Sequence, residues 1–141
     1  MARVEIPLPE RFSYATELPI RVDDLNYGGH LGNDRVLTLA HEVRVRWLRS
    51  HGLSELDVGG VGLILADAAV IYRAEGRLGQ LLKAELGARE VRTRSFELVY
   101  RFADAASGQE IALAKTGALC FDYASRKVAS VPAALRAVLQ R

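Results

Sequence analysis

The chain has one cysteine, Cys120, in 141 residues, so no internal disulfide can staple it. Three histidines beside that single thiol are too few for a structural zinc site of the usual kinds. An excess of one charge is also missing. Nineteen basic residues stand against seventeen acidic ones, and a net charge of +2 lacks the broad positive field that non-specific nucleic-acid binding needs. No apolar run approaches the roughly 18 residues of a membrane span. The opening MARVEIPLPERF lacks the charged-then-apolar pattern of a secretory signal. There is no linker, internal repeat or low-complexity stretch, and no glycine-rich phosphate loop of the nucleotide-binding type. The expectation is a cytoplasmic protein with no nucleic-acid and no membrane partner, in which any anion is bound locally.

What is present is a foldable composition: 50% of the residues are hydrophobic and 26% charged, which excludes a disordered tail. Residues 1–141 have the size of one domain with one core, since single cores run to about 100–200 residues. The stretch Phe12 to Val22 predicts a first strand, with Pro19 pointing to an edge position or a bulge. Residues 23–32, rich in Asp, Asn and Gly, predict a turn-rich loop. Asn33 is the expected N-cap of a helix with Asp34 in its first turn. Val36, Leu37, Ala40, Val43, Trp47 and Leu48 then recur at helical spacing until Gly52, a residue suited to a left-handed C′ position.

Four strands should follow, at Val61 to Arg73, Leu81 to Val91, Phe96 to Phe102 and Ile111 to Phe121. Phe96, Leu98, Tyr100 and Phe102 alternate with Glu97, Val99 and Arg101, giving that strand a core face and a wetter face. The other strands look apolar on both faces, as expected if one side of the sheet packs on the helix and the other meets a partner subunit or a ligand. Residues 105–109 read as a hairpin connection, residues 123–127 as a tight turn, and Pro132 as the opening of a short terminal helix. The fold class is α+β, one long helix against one antiparallel sheet.

The run Asp24-Leu25-Asn26-Tyr27-Gly28-Gly29-His30-Leu31-Gly32-Asn33, leading into Leu39-Ala40-His41-Glu42-Val43-Arg44-Val45-Arg46-Trp47-Leu48, resembles the Asp-x-Asp-x-x-x-His-x-x-Asn loop and Glu-x-x-Arg helix of hot-dog thioesterases. The 4-hydroxybenzoyl-CoA and long-chain acyl-CoA thioesterase groups are the nearest in pattern. Tyr72, Gly79, Phe121-Asp122-Tyr123, Lys127 and Pro132 look like parts of the same framework, so the resemblance covers nearly the whole chain. It implies a long central helix wrapped by a curved five-stranded antiparallel sheet. It also implies homodimers that join sheets edge to edge, with active sites at that interface, and dimers that commonly pair again.

Thioester hydrolysis needs a placed water, a group to take its proton or attack directly, and donors for the developing oxyanion. The N–H groups of Leu31, Gly32 and Asn33, at a helix N-terminus, are candidate oxyanion donors, although any glycine-rich turn before a helix exposes such groups. In the family pattern the second acidic position of Asp-x-Asp is the nucleophile or base in one group, and here it is Asn26. An amide can hold a water or donate to a carbonyl, but it cannot attack or usefully accept a proton. The carboxylate must come from elsewhere. Glu42 is the first candidate, because other hot-dog thioesterases use a glutamate on the central helix; its competing role is an i,i+4 salt bridge to Arg46. Asp24 is the second, with a competing role as an Asx-turn former. His30 could orient the water, donate to the thioester carbonyl, bind a carboxylate, or serve only as a structural hydrogen-bonder. Asp67 shares strand parity with Leu63, Leu65 and Ile71; apolar surroundings would demand a partner or a use, most simply an arginine across the sheet or an interface.

For the phosphates of coenzyme A, Arg92 and Arg94 share one strand face, while Arg89, Arg126 and Lys127 could approach from turns; surface arginines are otherwise ordinary. Coenzyme A would be part of the substrate, and no separate cofactor or metal is expected. The reading is hydrolysis of an acyl-CoA or aryl-CoA, against a hydratase or dehydratase acting on an enoyl thioester, or a non-catalytic acyl-thioester binding protein in which Asn26 has replaced the working acid.

Overall fold

The computed structural model describes residues 1–141. Five main strands form one antiparallel sheet: β1 (Tyr14–Pro19), β2 (Gly62–Tyr72), β3 (Leu81–Arg89), β4 (Ser95–Asp104) and β5 (Glu110–Asp122). Their spatial order is β1-β3-β4-β5-β2, and a two-residue strand, β6 (Lys127–Val128), adds to β5. The long helix α1 (Arg35–Ser50) lies against this sheet, and a short helix, α2 (Ala133–Leu139), closes the chain.

The helical period works as expected at Val36, Ala40, Val43, Trp47 and Leu48, all buried; Leu39 joins them. Phe96, Leu98, Tyr100 and Phe102 of β4 occupy the same core, so a single apolar cluster links the helix to the middle of the sheet. Each such side chain contributes roughly 1.5–3 kcal/mol on burial. Leu37, assigned to the apolar stripe, is instead exposed, because the helix is buried along one narrow face and Arg44 takes a place on it. The helix also starts later than the N-cap at Asn33 implied. Asp34 occupies the cap position, with helical dihedrals and no side-chain cap bond. At the other end Gly52 has φ +72°, the left-handed conformation expected of it.

Pro19 ends β1, and β1 is an edge strand, where a missing N–H does no harm. Pro132 precedes α2 as its N-cap rather than sitting inside it.

The outer face of the sheet is covered partly by the chain's own N-terminal segment. Ile6 packs on Val99 and Leu113, and Phe12 lies under the Arg101 guanidinium, 4.4 Å from its ring centre. The rest of that face is a ladder of ion pairs across neighbouring strands. Arg89 bonds Glu97 at 2.9 Å, Lys115 bonds Asp67 at 2.8 Å, and Arg101 bonds Glu85 at 3.0 Å. This corrects the reading of Asp67 as a carboxylate in apolar surroundings. Ala66 is an extra residue at a bulge between Leu65 and Asp67, which turns Asp67 outward to Lys115, a lysine rather than an arginine, and to the N–H of Gly117. The hydrogen bond from Lys115 holds the Asp67 carboxyl below the usual carboxylate range.

Candidate active site

Residues 25–31 form a small hairpin of their own. Leu25 bridges Leu31, the N–H of Asn26 donates to the carbonyl of His30 at 2.8 Å, and the N–H of Gly29 returns to Asn26 at 3.0 Å. Gly29 has φ +80°, a backbone state that a side chain would strain. The Asn26 amide oxygen closes the turn from inside, accepting from the N–H of Gly28 at 2.9 Å and of His30 at 3.2 Å. The amide at the family's acidic position is thus a loop former as well as a solvent-facing group.

The returning limb of the hairpin is stitched to the segment after β2. His30 bridges Arg77, and the N–H of Leu31 donates to the carbonyl of Gly76 at 2.8 Å. Gly76 is buried so tightly that a Cβ there would stand 2.7 Å from Ile20 and 2.9 Å from Leu31. The N–H of Gly32 donates to the carbonyl of Asp24 at 2.8 Å. Leu31 and Gly32 are therefore not oxyanion donors: both amides are already satisfied within the protein, the first by a residue 45 positions away. Asn33 differs, since its N–H takes part in no backbone hydrogen bond and it lines an open cleft at the start of α1.

That cleft, about 370 Å³, runs between the hairpin and the end of β2, and is lined by Asn26, His30, Asn33, Tyr72 and Glu75 among others. Tyr72 donates its hydroxyl to the carbonyl of Asn33 at 3.0 Å, and Nε2 of His30 lies 3.1 Å from a carboxylate oxygen of Glu75. Arg77 approaches the same oxygen at 3.7 Å. Glu75 was missed in the sequence, where a glutamate after a strand carries no pattern of its own.

Asp24 and Glu42 line a different cleft, of about 310 Å³, between β1, the 3-10 turn Val22–Asp24 and the outer side of α1; the two clefts share no lining residue. Asp24 is buried and its carboxylate accepts from the N–H of Arg21 at 2.8 Å, the turn-forming role. Glu42 accepts from Arg46 at 2.7 Å, and Arg46 also bonds Thr16 and the carbonyl of Glu17, so the pair ties the helix to β1. Three residues beyond Glu42 stands Val45, so the helix departs from the Glu-x-x-Arg spacing. The buried arginine is Arg44, which bonds Glu55 at 2.9 Å and Tyr100 at 3.0 Å; Tyr100 in turn bonds Thr116 at 2.8 Å, and His41 bonds Glu55 at 2.6 Å. Burial pushes the Tyr100 phenol up, with Arg44 opposing.

The basic candidates are not brought to the loop within one subunit. Arg94 accepts the N–H of Cys120 on its carbonyl, and β6 carries Lys127 opposite Asp122, so Arg94, Arg126 and Lys127 gather at the Phe121 end of β5. Tyr72 pairs with Ala112 at the other end, whereas Gly62 pairs with Phe121. The separation along β2 is about 30 Å at about 3.3 Å per residue. Arg126 stacks 5.6 Å from the Phe121 ring centre, and Arg92 is held by Glu90 at 2.7 Å.

Comparison with known proteins agrees with this architecture. The chain is 27% identical over 123 residues to a 1,4-dihydroxy-2-naphthoyl-CoA hydrolase of Synechocystis, covering 85% of this chain and 89% of that one. The crystal structure of a 1,4-dihydroxy-2-naphthoyl-CoA thioesterase from Synechocystis superposes with a TM-score of 0.82 at 25% identity, over 90% of this chain and 95% of that one. A gentisyl-coenzyme A thioesterase shares the fold, with a TM-score of 0.78 at 18% identity over 89% of this chain and 99% of that one. The family model described as the thioesterase-like superfamily matches residues 20–139. With its helix wrapped by an antiparallel sheet and the 26–33 loop set at the helix start, the chain belongs to the thioesterase-like superfamily, of hot-dog fold.

Proposed function

We propose that the protein hydrolyses an acyl-CoA or aryl-CoA thioester to the free acid and coenzyme A, in the cleft between the 26–33 loop and the end of β2. One observation carries this reading: at the start of α1, in a thioesterase-like fold, Asn33, whose N–H is bonded to no backbone carbonyl, lines a cleft together with an imidazole and a carboxylate. A donor at a helix N-terminus beside a proton acceptor is what attack of water on a thioester carbonyl requires. The named relatives act on aryl thioesters, so aryl-CoAs head the substrates to be tried.

The working unit in this proposal is a homodimer. β2 is an edge strand of 11 residues, and Ile64 and Leu65 on it are exposed. A long apolar edge invites pairing with another strand. Two copies of β2 related by a two-fold axis run antiparallel, which brings the Gly62 end of one beside the Tyr72 end of the other. The Arg94, Arg126 and Lys127 cluster of one subunit then approaches the loop cleft of its partner, where it meets the phosphates of coenzyme A. Arg92, two residues before Arg94, is already paired with Glu90. A second pairing of dimers belongs to the same proposal, and the strapped, charged outer sheet face leaves the α1 side for it. Cytoplasmic residence is also part of the proposal, supported by the unpaired, buried Cys120.

The test is incubation of purified protein with a panel of aryl-CoAs and acyl-CoAs of several chain lengths in the presence of a thiol reagent. Release of free thiol in proportion to enzyme is expected. No release across the panel would remove the reading. Addition of water to an enoyl-CoA without loss of coenzyme A would mark a hydratase, and tight coenzyme A binding without turnover a binding protein.

A further inference from the structure

Asn26 cannot take a proton, and its side-chain oxygen is already engaged by two loop amides. Asp24 and Glu42 face another cleft and are committed to Arg21 and Arg46. The only carboxylate lining the loop cleft is Glu75, and the only imidazole is His30; Tyr72, Arg73 and Asn33 complete its polar wall. From this arrangement, and resting on the hydrolase reading above, we infer that His30 is the general base of the reaction and that Glu75 is the positioning residue that holds its ring.

The geometry assigns separate tasks to the two ring nitrogens. Nε2 lies 3.1 Å from a carboxylate oxygen of Glu75 as an ion-pair contact; neither ring nitrogen has a hydrogen-bond partner in the protein, and Nδ1 lies on the side of Gly28. A carboxylate beside Nε2 favours the tautomer with its proton there, which leaves the lone pair of Nδ1 free to accept one. The ring has little freedom to drift, because the backbone of His30 is bonded on both sides to Asn26 and the next residue is bonded to Gly76. Glu75 follows on from β2 and immediately precedes Gly76, so the same stitching brings the two residues to neighbouring backbone positions. His30 retains 32% of its side-chain exposure and Glu75 63%, so water reaches the pair directly.

In the step so assigned, the oxygen of a water bonds to the thioester carbonyl carbon while its proton passes to Nδ1 of His30. The carbonyl oxygen takes the negative charge beside the free N–H of Asn33. Collapse of that tetrahedral species breaks the carbon–sulfur bond, and the leaving thiolate takes the proton back from the imidazolium. The products are the acid and the thiol, with the histidine restored.

A surface ion pair that only glues the loop to the 75–77 segment would also explain the contact, so the test must read chemistry as well as stability. The rate of thiol release is measured against pH for the wild-type protein, Glu75→Gln and His30→Gln, with circular dichroism melts to confirm folding. In the wild type kcat/KM should rise with pH to a plateau, the signature of a base that must be unprotonated to act. Glu75→Gln removes the carboxylate beside Nε2 and should reduce kcat about tenfold with KM within about twofold. His30→Gln should reduce kcat about a hundredfold or more. Arg77 shares the Glu75 oxygen, and Tyr72 and Arg73 line the same wall. A rising limb that persists unchanged in His30→Gln, or folded variants both within about twofold of wild type, would overturn the assignment while the hydrolase reading stands. A wild type that turns over no CoA thioester would overturn both.

Discussion

The hydroxyl of Tyr72, the last residue of β2, donates to the main-chain carbonyl of Asn33 at 3.0 Å. The end of an open edge strand is thereby tied across the loop cleft to the first turn of α1. The carbonyl it bonds belongs to the Asn33–Asp34 peptide, so the bond anchors the residue at which the loop enters the helix. Tyr72→Phe keeps the ring and removes the hydroxyl. Because Tyr72 is exposed, stability should fall by no more than about 0.5–1 kcal/mol in urea unfolding. Turnover should fall several-fold in kcat, with KM nearly unchanged.

The Arg44, Glu55, Tyr100 and Thr116 network lies outside the loop cleft and is expected to act on stability alone. Arg44→Ala leaves a carboxylate and a phenol without their shared partner, and should destabilise by about 3 kcal/mol, the low end for a broken buried pair because Glu55 is partly solvated. Burial alone would raise the Glu55 carboxyl, but the hydrogen bonds and charges of Arg44 and His41 outweigh it and hold the group below the usual glutamate range. A depressed folded value contributes stability that is present above the unfolded value, near 4.3, and is lost as pH falls through the folded one. Unfolding free energies measured between pH 6 and about 3 should therefore decline, and Glu55→Gln should flatten part of that decline.

Cys120 is fully buried, and burial pushes its thiol up to about 11, with Arg136 opposing. At pH 8 it should react with an aromatic disulfide reagent only as fast as the protein opens. A rapid stoichiometric reaction in the native state would contradict this burial. The same inertness keeps the protein's own thiol out of the coenzyme A release assay.

Periodicity made α1 and the main strands legible, and glycine with Asx content marked the loop. The errors came from partners that are distant in sequence. The amide of Leu31 was assigned to substrate because nothing near it shows that Gly76, 45 residues on, would accept it. Strand parity with Leu63 and Leu65 gives Asp67 apolar surroundings only if the alternation is unbroken; the extra residue at Ala66 changes its facing relative to them, and a bulge leaves no mark in an alternating pattern. Arg44 sits at a buried helical position, and only the Tyr100 and Glu55 groups from other elements make that tolerable. Glu75 became visible only when the hairpin was seen stitched to the 76–77 backbone. Asp24 and Glu42 shared a motif with the loop but not a cleft, since the 3-10 turn and α1 direct them to the other side.

If the basic cluster serves the partner's cleft, active sites are shared between subunits. A heterodimer purified through two tags, with His30→Gln in one subunit and Arg94→Glu, Arg126→Glu and Lys127→Glu in the other, has one site carrying both lesions and one carrying neither. It should keep about half of the wild-type rate, although each parent homodimer is nearly inactive. Activity as low as the parents would place both groups in the same subunit's site.

The account stands on the claim that thioesters are cleaved in the loop cleft and not in the cleft beside α1. The most direct measurement is kcat/KM for thiol release from the best CoA ester of the panel, in wild type, His30→Gln and Glu42→Gln. A loss of about a hundredfold or more in His30→Gln is expected. Glu42→Gln breaks only a helix-to-β1 tie and should stay within about twofold of wild type. The opposite pattern, with Glu42→Gln inactive and His30→Gln unaffected, would contradict the account.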